Sequence, residues 1–301
     1  MTAFQTAFNA VVPTFVLIAL GAFIDKRFPG LSMETLSRLS VHLLVPALVF
    51  AALAKTDVSM ASATMLSLAY LLYLLALGFI TFVSTRDLPK TQARAVIVST
   101  LFGNTGNMGL PITLFAYGQA GLERAVILLI ISLAAMFIAG PIMLAGGGNL
   151  RKRVIDTFKM PPVWATFIGV SFNLLNIHLP LSISRGLELL GDASIPLMLV
   201  ALGMQMQRSW TFEFDAASIR TTFFRLILGP FIAYGVGWLL GLSTLDRNVL
   251  VLSAALPVAV TMFVIAVEVK GDAPGVAKSV VATTVASLFA IMLVLFLFPI
   301  I

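Results

Sequence analysis

Apolar runs of about twenty residues recur along almost the whole of this 301-residue chain, and no other feature limits its folding so strongly. A helix that crosses a bilayer needs ~20 mostly apolar residues. Hydrophobic residues make up 59% of the chain and charged residues only 11%, whereas a soluble domain carries roughly 25% charged residues. No ordinary core could hide so much apolar surface, so lipid must solvate most of it. Cutting at charged, glycine or proline breaks gives ten runs, at about 9–25, 36–54, 60–84, 92–117, 124–145, 161–178, 186–206, 217–240, 247–268 and 277–300. The expected fold class is an all-α polytopic membrane protein of ten transmembrane helices.

The net charge of +6 is a topology signal and does not point to nucleic acid, because the basic residues gather in the loops and near the ends of the runs. Fifteen of the 19 Lys and Arg lie after odd-numbered runs, namely Lys26, Arg27, Arg38, Arg86, Lys90, Arg94, Arg151, Lys152, Arg153, Lys159, Arg208, Arg220, Arg225, Lys270 and Lys278. The other four, Lys55, Arg124, Arg185 and Arg247, follow even-numbered runs. Loops rich in Lys and Arg stay cytoplasmic, which puts both termini outside. The first run has no basic residue before it and "DKR" (Asp25 to Arg27) after it, the pattern of a retained span rather than a cleaved leader. The chain has no cysteine, and His42 and His178 lack a metal-site spacing, so no metal or cofactor is expected.

The two halves share landmarks. "VPALVFAAL" (Val45 to Leu53) lines up with "IPLMLVALG" (Ile195 to Gly203) at an offset of 150, and "AGLERAV" (Ala120 to Val126) lines up with "PGVAKSV" (Pro274 to Val280) at 154. Five spans per copy is an odd number, so the second copy would insert upside down, the inverted-repeat plan of secondary transporters. The expected units are 1–147, a cytoplasmic linker at 148–160, and 161–301. Within the fourth run, "GNTGNMGLPI" holds Gly103, Gly106 and Gly109 as helix-breaking glycines, with Pro111 lacking an N–H. Asn104, Thr105 and Asn107 can satisfy freed backbone groups or a ligand. At the corresponding place in the ninth run lie Pro257 and Thr261. Broken helices at matching positions point to a substrate site. Half-helix N-termini there would present positive partial charge to an anion without any Lys or Arg nearby.

"GNTGNMGLPI", together with "HLLVPALVF" of the second run and "GDASIPLMLVALGMQM" of the seventh, resembles the auxin efflux carrier family along the whole chain. That family includes the plant PIN proteins and bacterial relatives, among them malonate and malate carriers. The resemblance implies two inverted five-helix repeats with helices four and nine crossing, a fold shared with bile-acid and sodium/proton transporters. It also implies small organic anions as substrates, a scaffold of helices one, two, six and seven, and a homodimer. Asn104, Asn107, Pro111 and Pro257 carry over as site residues. The long cytoplasmic loop of the plant members is absent. Bacterial inner (plasma) membrane is the expected location, with membrane lipids as partners.

His42 and Asp192 align at the 150-residue offset, each four residues before a proline (Pro46 or Pro196). Ionisable groups inside spans are functional suspects, so both are candidates for binding a coupling proton or, at Asp192, sodium. Arg225 is read as snorkelling from a span end. The leading expectation is a secondary carrier for malonate-, malate- or auxin-like carboxylates working by alternating access; the alternative is a sodium- or proton-coupled symporter or antiporter. An intramembrane enzyme is disfavoured, since the chain has neither HExxH nor GxSxG.

Overall fold

The computed structural model describes residues 3–209 and 214–298. The extreme termini, residues 210–213, the end of the tenth run and the Arg153 side chain lie outside the described residues. The chain forms α1 (Ala3–Arg27), α2 (Met33–Leu39), α3 (Val45–Ala54), α4 (Met60–Ser84), α5 (Lys90–Leu101), α6 (Leu110–Ala145) and α7 (Leu150–Phe158). There follow α8 (Pro161–Leu174), α9 (Leu181–Ser209), α10 (Ala216–Phe223), α11 (Gly229–Leu239), α12 (Thr244–Ala254), α13 (Val260–Glu268) and α14 (Ala273–Leu297).

Three π-helical turns, Ser40–Leu44, Thr105–Gly109 and Phe224–Leu228, each run straight into a helix with proline in its first turn, at Pro46, Pro111 and Pro230. A proline ring clashes with the carbonyl four residues back and offers it no N–H. Widening the preceding turn relieves that clash without ending the helix. Met33–Ala54 and Ala216–Leu239 therefore each continue as one span.

Among the described residues, seven helices are long and apolar enough to cross a membrane, which makes this an integral membrane protein. The remaining expected runs are not single helices of that length. The fourth run stops at Leu101 and resumes at Thr105; from there a helical stretch continues to Ala145, bent at Gly118 (φ 64°, ψ −162°). The ninth is split into α12 and α13, and the sixth, α8, is only 14 residues long.

Helix packing falls into two groups. α1 lies against α9, and α3 against α8 and α9. The α1–α9 contact is close because of two glycines: a Cβ on Gly21 would sit 2.1 Å from the Val200 carbonyl oxygen, and one on Gly203 1.9 Å from that of Ile18. Small residues of this kind let helix backbones approach in lipid. The second group holds α4, α5, α6 and α10 to α14, and α1 reaches it through α6 and α14. Large side chains such as Leu75, Phe79, Phe231, Leu239 and Phe289 face outward and are largely exposed. Polar clamps fix the helix ends. Arg208 Nε and Nη2 both donate to Asp25 Oδ1, at 2.8 and 2.5 Å, and Arg220 grips both oxygens of Asp87, at 2.8 and 2.7 Å.

Candidate functional site at the meeting of two broken helices

α5 ends at Leu101, and Phe102 takes an extended conformation (φ −103°, ψ 100°). Across from it, α12 ends at Ala254 and the chain extends through Pro257 to Ala259 before α13 begins. The two extended pieces pair antiparallel. The Asn104 N–H donates to the Pro257 carbonyl at 2.8 Å, and the Ala259 N–H donates to the Phe102 carbonyl at 2.9 Å, around a bridge between Gly103 and Val258. The Val258 N–H donates to Thr283 Oγ1 at 3.0 Å. The backbone polar groups freed by both breaks thus find partners in each other and in α14. Non-helical backbone at membrane depth requires such burial in protein.

The fourth-run residues divide by role. Asn104 caps the next turn, its Oδ1 accepting from the Asn107 N–H at 3.1 Å. Asn104 and Thr105 are both 6% exposed, and Asn107 and Thr261 are half-buried. Among the described residues, Asn104 Nδ2, Thr105 Oγ1, the Asn107 side-chain amide and Thr261 Oγ1 have no hydrogen-bond partner. Pro111 sits in the first turn of α6, directly after the π-helical Thr105–Gly109 turn that accommodates its ring. None of the three glycines has a positive φ. Gly103 and Gly109 instead allow close approach, since a Cβ would lie 1.7 Å from Arg225 Nη2 and 2.8 Å from Leu256 Cδ1 respectively. Gly106 has room for a methyl group, the nearest atom being Leu129 Cδ1 at 3.5 Å.

Arg225 corrects the sequence reading. It does not snorkel, and it lies in no loop: it is wholly buried in the π turn between α10 and α11. Its Nε donates to the Leu256 carbonyl at 2.8 Å, Nη1 to the carbonyls of Thr100 and Leu101 at 3.0 Å each, and Nη2 to that of Ser253 at 3.1 Å. The Tyr73 hydroxyl lies 3.4 Å from Nη1. The meeting point therefore does contain a basic residue. Position within the 217–240 run was the available signal: Arg225 stands eight residues past its start, too deep for its head to reach the interface. Among the described residues, the buried hydroxyls of Thr100 and Ser253, whose carbonyls Arg225 holds, and of Ser99 have no partner, which no sequence pattern indicated.

His42 and Asp192 stand apart from this arrangement. Both are exposed; His42 Nδ1 lies 3.1 Å from the Arg38 carbonyl, and neither residue bonds to the paired segments. A cavity of ≈ 250 Å³ between α3 and the α8–α9 region, lined by Phe50, Lys55, Phe172, His178 and Glu188, contains none of the paired residues.

With this geometry in place, comparison with known proteins is decisive. Residues 6–152 and 149–295 match the family described as membrane transport protein, which is of the auxin efflux carrier type. The chain belongs to this family. The assignment makes it a transporter and not an enzyme. Its similarity to an uncharacterised transporter of Methanothermobacter thermautotrophicus is 28% identity, covering 96% of this chain and 98% of that protein. An uncharacterised transporter of Methanocaldococcus jannaschii is 26% identical, with 95% and 96% covered. A Rhizobium meliloti protein provisionally named a malonate transporter is 28% identical, with 85% and 84% covered.

Proposed function

We propose that this family member is a secondary carrier for small organic anions, carboxylates of the malonate or malate kind, held where the two broken helices pair. The observation that carries this reading is the set of unpartnered polar groups on Asn104, Thr105, Asn107 and Thr261 beside the Phe102–Asn104 and Pro257–Ala259 pairing. A carboxylate can accept from amide and hydroxyl donors and from N–H groups at the start of the Thr105–Gly109 turn and of α13. The name of the Rhizobium meliloti relative favours malonate as the first substrate to try. In this reading residues 1–147 and 161–301 are inverted halves joined at 148–160, and one helix group moves against the other to give alternating access. Both termini outside, an inner-membrane location and a homodimer belong to the same proposal.

Labelled malonate or malate should cross reconstituted vesicles. Asn107→Ala should lower the flux at least tenfold, and Pro257→Ala should also impair it. Wild-type flux in both variants would refute the site. Coupling through Asp192 is tested by following Asp192→Asn transport across pH and sodium concentration; an unchanged dependence on both removes that residue from the mechanism.

A further inference from the structure

A buried charge is expensive unless it is matched, and among the described residues Arg225 has no carboxylate partner. What it faces is four carbonyls, and they are not random ones. Thr100 and Leu101 are the last two residues of α5, while Ser253 and Leu256 lie at and just past the end of α12. Arg225 is therefore bound to the C-terminal poles of both interrupted helices.

The consequence is electrostatic. A helix carries roughly +0.5 elementary charge at its N-terminus and −0.5 at its C-terminus. Where two broken helices meet, two C-terminal poles and two N-terminal poles come together and their partial charges sum to about zero. The guanidinium adds a full positive charge to the C-terminal poles of α5 and α12 and neutralises them. The N-terminal poles, at the Thr105–Gly109 turn leading into α6 and at α13, are then no longer offset by the C-terminal ones, and the first of them is met only by the neutral Asn104 cap. No side chain caps the start of α13. At the start of the other, Asn104 and Thr105 are nine-tenths buried with Nδ2 and Oγ1 unpartnered. The surplus of donors is extended by the orphan hydroxyls of Thr100 and Ser253, two of the residues whose carbonyls Arg225 holds.

We propose that Arg225 is the positioning residue that sets the sign of this site: it cancels the negative helix ends and so makes the junction select anionic ligands over neutral ones of the same shape. Four of the five N–H groups of Arg225 are turned to carbonyls, so it acts through the helix ends it holds. The proposal rests on the reading of the junction as the ligand site. It goes further by assigning the charge selectivity to a residue outside both broken helices. Gly103 is part of the device, since a side chain there would occupy the place of the guanidinium.

The test compares malonate with malonamide, its uncharged isostere, by thermal shift and by competition against labelled malonate in purified full-length protein. Wild type should prefer malonate at least tenfold. Arg225→Gln, if it purifies folded, should lose that preference through weaker malonate binding while malonamide binding stays within about threefold. Arg225→Lys keeps the charge but not the fork, and should retain the preference even at lower thermal stability. A folded Arg225→Gln protein with wild-type discrimination overturns the proposal and leaves the carrier reading standing. If Arg225→Gln does not fold, Arg225→Lys decides: lost discrimination in that variant shows that fork geometry and not charge matters, and overturns it. Failure of wild type to bind or transport any carboxylate overturns the carrier reading and this proposal together.

Discussion

Gly103 and Gly106 differ by three positions and by what surrounds them. The guanidinium that a Cβ at Gly103 would strike is tied to four carbonyls and cannot move aside without unpairing them. Gly103→Ala should therefore cost about 1–3 kcal/mol, the usual range for overpacking a tight interior. Gly106→Ala meets only an ordinary contact with Leu129 and replaces the poorest non-proline helix former. It should be neutral, or stabilising by up to ~1 kcal/mol. Melting temperatures of the two variants in detergent decide this; equal losses would show that both glycines serve backbone flexibility.

α10 shows how an element is started. Asp215 Oδ1 accepts from the Ser218 N–H at 2.8 Å, and Ser218 Oγ accepts from the Asp215 N–H at 3.0 Å, a reciprocal capping box. Partial burial pushes the Asp215 carboxyl upward, but hydrogen bonds from the Ser218 backbone and side chain and the nearby Lys278 outweigh it and hold the carboxyl below its ordinary value. Because the folded value is the lower one, the stabilisation is complete above the unfolded value near ~3.9 and is lost as pH falls through the folded value. Asp215→Ala should cost about 1 kcal/mol at pH 7. In a pH series the gap to wild type should narrow below pH ~4; a constant gap would mean the ionised carboxylate contributes nothing.

At the scale of the whole molecule, the two halves of the chain are joined in both helix groups, and in the second group the join includes a buried ion pair. Arg124 on α6 pairs with Asp246 on α12 at 2.5 Å, with side-chain exposures of 17% and 5%, and Asp246 also accepts from Ser243. Removing one partner of a buried pair leaves the other charge uncompensated, at about 3–5 kcal/mol. Asp246→Asn should approach that loss, and Arg124→Gln combined with Asp246→Asn should recover part of it. A double variant as unstable as the sum of the singles would show that the two residues act independently.

Membership of the polytopic class was legible in hydropathy and composition, because lipid solvation acts on every apolar run regardless of what the run packs against. The interruptions were legible too. Pro111, Pro257 and the asparagines are local statements about backbone hydrogen bonding, readable wherever they occur. Helix length was less legible: Gly118 bends a helix and the 102–104 break divides one, so apolar length alone did not give helix length. What only the tertiary structure decided is who meets whom. The Asn104–Pro257 bond and the four carbonyls held by Arg225 join segments far apart in the chain, and such pairings leave no periodicity to read. Arg225 looked like a span-end cation because burial is a property of neighbours, and its neighbours come from α4, α5 and α12. The sequence by itself determined a membrane-embedded chain with two breaks. Folding decided that the breaks pair, because each leaves backbone groups that hydrocarbon cannot satisfy and the other can.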